Sequence, residues 1–314
     1  MRVAYGAFVA ALLSHAPFAV ADDTPLPAAE VPMTLDEVTV EAPEPRYVAP
    51  TLRDRIGRVW APVYINGQGP FRLVLDTGAT TSAIVSSVAT RLNISIPPEN
   101  RIGLHGATGE TIVPYINVDT LEIGDLSLGD SRLPIVPDVF GGAEGVLGTQ
   151  GLADKRIFID FRHDLIRITF SRKRPATSGF VVLPFQMVLG RLVTLQVNVG
   201  GVRTRAIIDT GAQQTIGNSA LRDALLRRQR EAKKSDIIGV TLDVVHGESI
   251  DTPPIALGAI QLRNLRVTFG DMFIFEQWKL TREPTLLVGM DVIGSLDTFV
   301  IDYKRRELQL KARS

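Results

Sequence analysis

The chain has no cysteine, which excludes a disulfide scaffold, thiolate-held zinc, a cysteine nucleophile and a lipoprotein anchor. Histidine is scarce. The four residues, at 15, 105, 163 and 246, include no two at metal-ligand spacing, so no metal is expected and no cofactor is called for. Net charge is also missing. Over 314 residues, 34 Lys and Arg balance 34 Asp and Glu, without the basic field of a nucleic-acid binder. No later segment reaches the roughly 18 uninterrupted apolar residues of a bilayer span, so no integral membrane span is expected in the mature chain. What the chain does have is a 45% hydrophobic content, enough for a packed core. Its length fits one large domain or two of about 100–150 residues.

The first 50 residues differ from the rest. Residues 1–21 read as a secretory signal peptide: Arg2, an apolar run from Val3 to Leu13, and the small-residue site Ala19-Val20-Ala21 before Asp22. An exported, cysteine-free chain suits a periplasm or secretion. Residues 22–50 carry six prolines and seven acids against the single base Arg46, and read as a linker or pro-segment. Setting residues 1–50 aside leaves 27 acids and 32 bases, a mildly basic remainder.

That remainder repeats itself. Val74-Leu75-Asp76-Thr77-Gly78-Ala79 and Ile207-Ile208-Asp209-Thr210-Gly211-Ala212 lie 133 positions apart, as do the turn glycines Gly67 and Gly200. Gly145-Val146-Leu147-Gly148 matches Leu286-Leu287-Val288-Gly289 at an offset of 141, and Ile159-Asp160-Phe161 matches Ile301-Asp302-Tyr303 at 142. Four landmarks in one order, with a slowly growing offset, indicate a duplicated fold. The expected lobes cover residues 51–175 and 176–314, with the polar Ser171–Gly179 stretch as the seam. Each half reads as a hairpin, an Asp-Thr-Gly loop, a short helix (Ser86–Leu92; Ser219 to about Lys234), several short strands and a final alternating strand (Ile157–Ile168; Thr298–Leu310). This is an all-β pattern.

The doubled Asp-Thr-Gly-Ala resembles the aspartic peptidases over residues 58–312. The local motif is similar to the retropepsin type, and the covalent joining of two halves to the bilobal pepsin type. The resemblance implies two β-barrel lobes related by a pseudo-two-fold axis, with the cleft between them. It implies Asp76 and Asp209 as the catalytic pair. Thr77, Gly78, Ala79, Thr210, Gly211 and Ala212 would support the two loops, the threonines bonding across the axis. Gly148 and Gly289 would thread beneath them. A substrate-covering flap is expected at His105, Gly106 and Gly109, with a counterpart at His246 and Gly247. Both histidines are expected to be exposed at the flap tips. A pepsin-type flap tyrosine is absent from residues 103–111, and Tyr115 comes later, a pattern that favours retropepsin-like flaps.

The expected function is therefore that of an exported aspartic endopeptidase, complete as a monomer and acting on a peptide or protein. The alternative is a non-catalytic peptide-binding module, whose usual mark, loss of one Asp, is missing. Carbohydrate hydrolysis also uses two carboxylates, but nothing here suggests aromatic sugar platforms. Ala79 and Ala212 stand where pepsin-like enzymes commonly carry a hydroxyl donor to the carboxylates. Losing such a bond raises the lower dyad pKa by about one to two units, so a mildly acidic optimum of about pH 4.5–6.5 is expected.

Overall fold

The computed structural model describes residues 58–124, 126–172, 175–226, 233–239 and 244–313, together with the backbone of three short strands at Ala7–Val9, Leu13–Ser14 and Val40–Glu41. The rest of the leader and of the acidic, proline-rich segment lies outside the described residues. The fold is all-β with a few short helices.

Each half forms one curled sheet, and the strand order is the same in both. In the first half the order is Leu126–Leu128, Leu121–Ile123, Trp60–Ile65, Gln68–Leu75, Gly145–Leu147, Ala83–Val85, Ser131–Val136, Glu110–Val118 and Arg101–His105. In the second it is Ile260–Leu262, Ile255–Leu257, Leu192–Val199, Val202–Ile208, Thr285–Val288, Ile216–Gly217, Arg266–Phe269, Val244–Asp251 and Lys233–Gly239. Alternation drives the pairing. Lys155–Asp160, for example, places Ile157 and Ile159 in the core and leaves Arg156 and Phe158 half-buried. The Asn66-Gly67 turn joins the first hairpin with both residues at positive φ, 50° and 70°, which explains the Asn-Gly pair. Its counterpart is Gly200-Gly201, so Gly67 corresponds to Gly201 rather than to Gly200. The two hairpins differ by one residue because the first carries a register shift between Val63 and Ile65.

A third sheet joins the halves. Lys155–Asp160 pairs antiparallel with Leu296–Asp302, and Phe158 lies opposite Val300, its own duplicate. A residue meets its duplicate only on the symmetry axis, so the pseudo-two-fold axis passes through this pair. The final element of each half is a hairpin rather than a single strand: Lys155–Asp160 with Leu165–Phe170, and Leu296–Asp302 with Glu307–Ala312. Val181–Pro184 covers one edge of this sheet, and Val40–Glu41, from the segment expected to be a linker, covers the other.

The helices are shorter than the sequence suggests. The first runs Ser86–Arg91. The second, Ser219–Leu226, is capped by the Asn218 side chain, which accepts the Leu221 N–H at 2.9 Å. It does not reach Lys234: Lys233 and Lys234 begin a strand paired with Val244–Asp251, so they are not on a helical basic face. No helix among the described residues is long and apolar enough to cross a membrane.

Candidate active site

The two Asp-Thr-Gly loops meet at the axis. Each follows the last residue of an apolar strand whose backbone pairs in parallel with the Val-Leu-Gly or Leu-Val-Gly strand. The Asp76 N–H donates to the Leu147 carbonyl and the Asp209 N–H to the Val288 carbonyl, both at 3.0 Å. Thr77 and Thr210 lock the loops together. The Thr77 hydroxyl donates to the Ile208 carbonyl at 2.8 Å and accepts the Thr210 N–H at 3.1 Å. The Thr210 hydroxyl donates to the Leu75 carbonyl at 2.7 Å and accepts the Thr77 N–H at 3.1 Å.

Both carboxyls are 0% exposed. Asp76 Oδ1 accepts the Gly78 and Ala79 N–H groups at 2.8 and 2.9 Å, and Asp209 Oδ1 accepts those of Gly211 and Ala212 at 2.9 and 3.2 Å. Among the described residues no other group donates to the outer oxygens, Oδ2 of each, and the two carboxyls act on each other. The loops are so close that a Cβ on Gly78 would sit 2.7 Å from Asp209 Oδ2, and one on Gly211 would overlap the Asp76 carboxyl. Burial, first, and the facing carboxyl, second, push the Asp76 pKa well above the ordinary value. Burial raises Asp209 to about 6, against the downward pull of the bonds from Asp76, Gly211 and Ala212 and of the Arg58 charge.

Beneath the loops, Gly148 and Gly289 are forced to be glycine by close approach. A Cβ on Gly148 would lie 2.7 Å from the Thr81 carbonyl carbon, and one on Gly289 the same distance from that of Gln214. Their N–H groups donate to the Ser82 and Thr215 hydroxyls, both at 3.1 Å. The Asp291 carboxylate in turn holds Thr215 at 2.9 and 2.7 Å.

With this geometry in place, comparison with known proteins gives the family. The aspartyl protease family profile matches residues 61–150 and 195–292, the two halves that carry the loops. The chain belongs to the aspartyl protease family. A retropepsin-like aspartic protease from Rickettsia conorii is among the similar solved structures, at 16% identity over 43% of this chain and 90% of that one, with a TM-score of 0.29. No curated protein sequence matches the chain significantly.

In this member of the aspartyl protease family the candidate flap departs from expectation. His105 ends the Arg101–His105 strand, and Gly106 to Gly109 form the turn, closed by the Gly106 N–H on the Gly109 carbonyl at 2.8 Å. The turn is not free in solvent. Ala107 is 0% exposed within a cluster of second-half residues that includes Ala212, Ile216, Met272 and Phe275, and its carbonyl accepts the Ile274 N–H at 3.1 Å. His105 is buried, 4% exposed, paired with Leu13 of the strand Leu13–Ser14 and stacked on Phe273 with ring centroids 6.1 Å apart. The first-half turn is thus docked on the second half. His246 and Gly247 are not at a flap tip. They lie inside the Val244–Asp251 strand, opposite Asp236 and Ser235, and residues 240–243, between the two paired strands, lie outside the described residues. Tyr115 lies within the Glu110–Val118 strand.

Sequence reasoning missed Ser82, Thr215, Asp291, Tyr303 and Arg58. Continuing the 133-residue offset would have found the first two. Tyr303, next to the strand Leu296–Asp302, is buried, and burial together with the Asp76 charge raises its pKa.

Proposed function

We propose that the chain is an exported aspartic endopeptidase that cleaves peptide bonds at an Asp76/Asp209 dyad supplied by a single molecule. The observation that carries this is the meeting of two duplicated Asp-Thr-Gly loops, locked by reciprocal threonine bonds, with two fully buried carboxyls that act on each other. Two negative charges cannot share a fully buried site, so one carboxyl keeps its proton. The ionised carboxylate takes a proton from an attacking water. The protonated partner polarises the scissile carbonyl and later protonates the leaving amine, with no covalent intermediate. The backbone N–H pairs on each Oδ1 keep both carboxyls oriented through the exchange. The leader-like residues 1–21 support export, and the two halves on one chain support action as a monomer.

The test is cleavage of a mixed peptide library with and without a statine-type inhibitor, repeated with Asp76→Asn. Cleavage that the inhibitor and the substitution both abolish is the expected result. Specific peptide binding without cleavage in the wild type would favour the binding-module reading.

A further inference from the structure

The mechanism above makes no use of a buried cation beside the dyad. In the first half Trp60 pairs with Val74, and the Leu75 N–H donates to the Val59 carbonyl at 2.9 Å, so the ladder continues to set Arg58 opposite Asp76. In the second half Thr194 pairs with Ile207, and the same count sets Leu192 opposite Asp209. Residues directly opposite on an antiparallel pair have Cβ atoms about 4.5–5.5 Å apart, on one face. Arg58 is 2% exposed and Leu192 is 0% exposed. The duplication therefore breaks at this position: one half sets a buried arginine opposite its aspartate, where its charge acts on both carboxyls, and the other sets a leucine.

We propose that Arg58 is the internal countercharge of the Asp76/Asp209 pair, a positioning residue that makes the buried cluster neutral when one carboxyl is ionised and so sets the pH at which the pair loses its first proton. This rests on the dyad reading above. An isolated ion in a dry site is costly, whereas a neutral cluster is not. One Arg against two Asp balances in the singly ionised state, the state that general acid–base work requires. Among the described residues, the titratable groups shown to bear on one another here are Arg58, the two aspartates and Tyr303. Burial lowers the Arg58 pKa only to about 10, so it stays cationic through the acid and neutral range. Tyr303 stays neutral there.

Two measurements test this. The first is the pH profile of kcat/KM. Arg58→Met moves the acid limb upward by about one to two units, while Arg58→Lys, which keeps the charge, leaves it within about half a unit. The second needs no catalysis. At neutral pH, Arg58→Met lowers Tm in the native background by more than it does in the Asp76→Asn/Asp209→Asn background, where the two carboxylates that Arg58 faces are neutral. Arg58→Met that folds only in the Asn/Asn background is the same coupling in its extreme form. A wild type that cleaves nothing overturns the peptidase reading and leaves the Tm cycle to judge the countercharge. An unchanged acid limb with equal Tm changes in both backgrounds, or failure to fold in both, overturns the proposal.

Discussion

Replacing Thr77 by valine keeps the shape of the side chain and deletes one hydroxyl. That hydroxyl serves two backbone groups of the other half, donating to the Ile208 carbonyl at 2.8 Å and accepting the Thr210 N–H at 3.1 Å. Thr77, Thr210 and Ile208 are 1%, 0% and 3% exposed, so water cannot replace the lost partner. Each buried polar group left unsatisfied costs about 1–3 kcal/mol, which makes Thr77→Val a loss of about 2–6 kcal/mol. Thr77→Ser keeps the hydroxyl and removes a methyl, a loss of about 1 kcal/mol. Denaturant unfolding followed by fluorescence reads this in both halves, since Trp60 and Trp278 are buried one in each. Because the bonds cross between the halves, both tryptophans should report the change. Activity should fall further than stability explains, because a small misplacement of reacting groups is costly. Thr77→Val within about 0.5 kcal/mol of wild type, or Thr77→Ser as damaging as valine, would refute the reasoning.

Stability should fall as pH rises from about 4 to 6, because Asp209 has a folded pKa of about 6 against an unfolded value near 3.9. The folded state holds that proton more tightly, so the contribution is complete at low pH and lost as pH climbs through the folded value. Asp209 alone contributes about 3 kcal/mol of this fall; burial raises Asp76 in the same direction, so Asp209→Asn should lessen the fall in urea titrations across that range without abolishing it. The acid limb of kcat/KM should lie near the same pH. Gly289→Ala puts a Cβ 2.7 Å from the Gln214 carbonyl and 3.0 Å from the Ala212 oxygen, all backbone; Tm and kcat/KM should both drop, whereas Gly103→Ala, with nothing within 4 Å, should change neither. Ala107→Asp buries a charge among second-half apolar residues and should release the flap, with at least about tenfold faster hydrogen exchange at the Ile274 amide. Unchanged exchange there would show that the docked flap is not the solution state.

The duplicated loops were legible because they combine residue types that only a tight turn and an acid require, at equivalent places in both halves. Gly148 and Gly289 were legible for the same reason. Arg58 was not. Counting back from the Asn66-Gly67 turn puts Gly57 opposite Asp76, and the one-residue register shift between Val63 and Ile65 brings Arg58 there instead. A bulge of this kind leaves little trace in the sequence. The burial of His105 was hidden for another reason, since its neighbours Leu13 and Phe273 lie some 90 and 170 residues away in the sequence. The second helix was overextended because its basic run fits a solvated helical face. The strand Lys233–Gly239 wins through its pairing with Val244–Asp251, which no local pattern announces.

The claim that one chain supplies both carboxyls is tested most directly by mixing. Asp76→Asn and Asp209→Asn chains are purified separately, shown to be folded, and assayed for peptide cleavage alone and as an equimolar mixture across a range of concentrations. The account predicts that neither variant cleaves and that the mixture stays inactive at every concentration, because each molecule holds a complete but crippled site. Recovery of activity on mixing would show that the working site draws one aspartate from each of two chains, and would contradict the account.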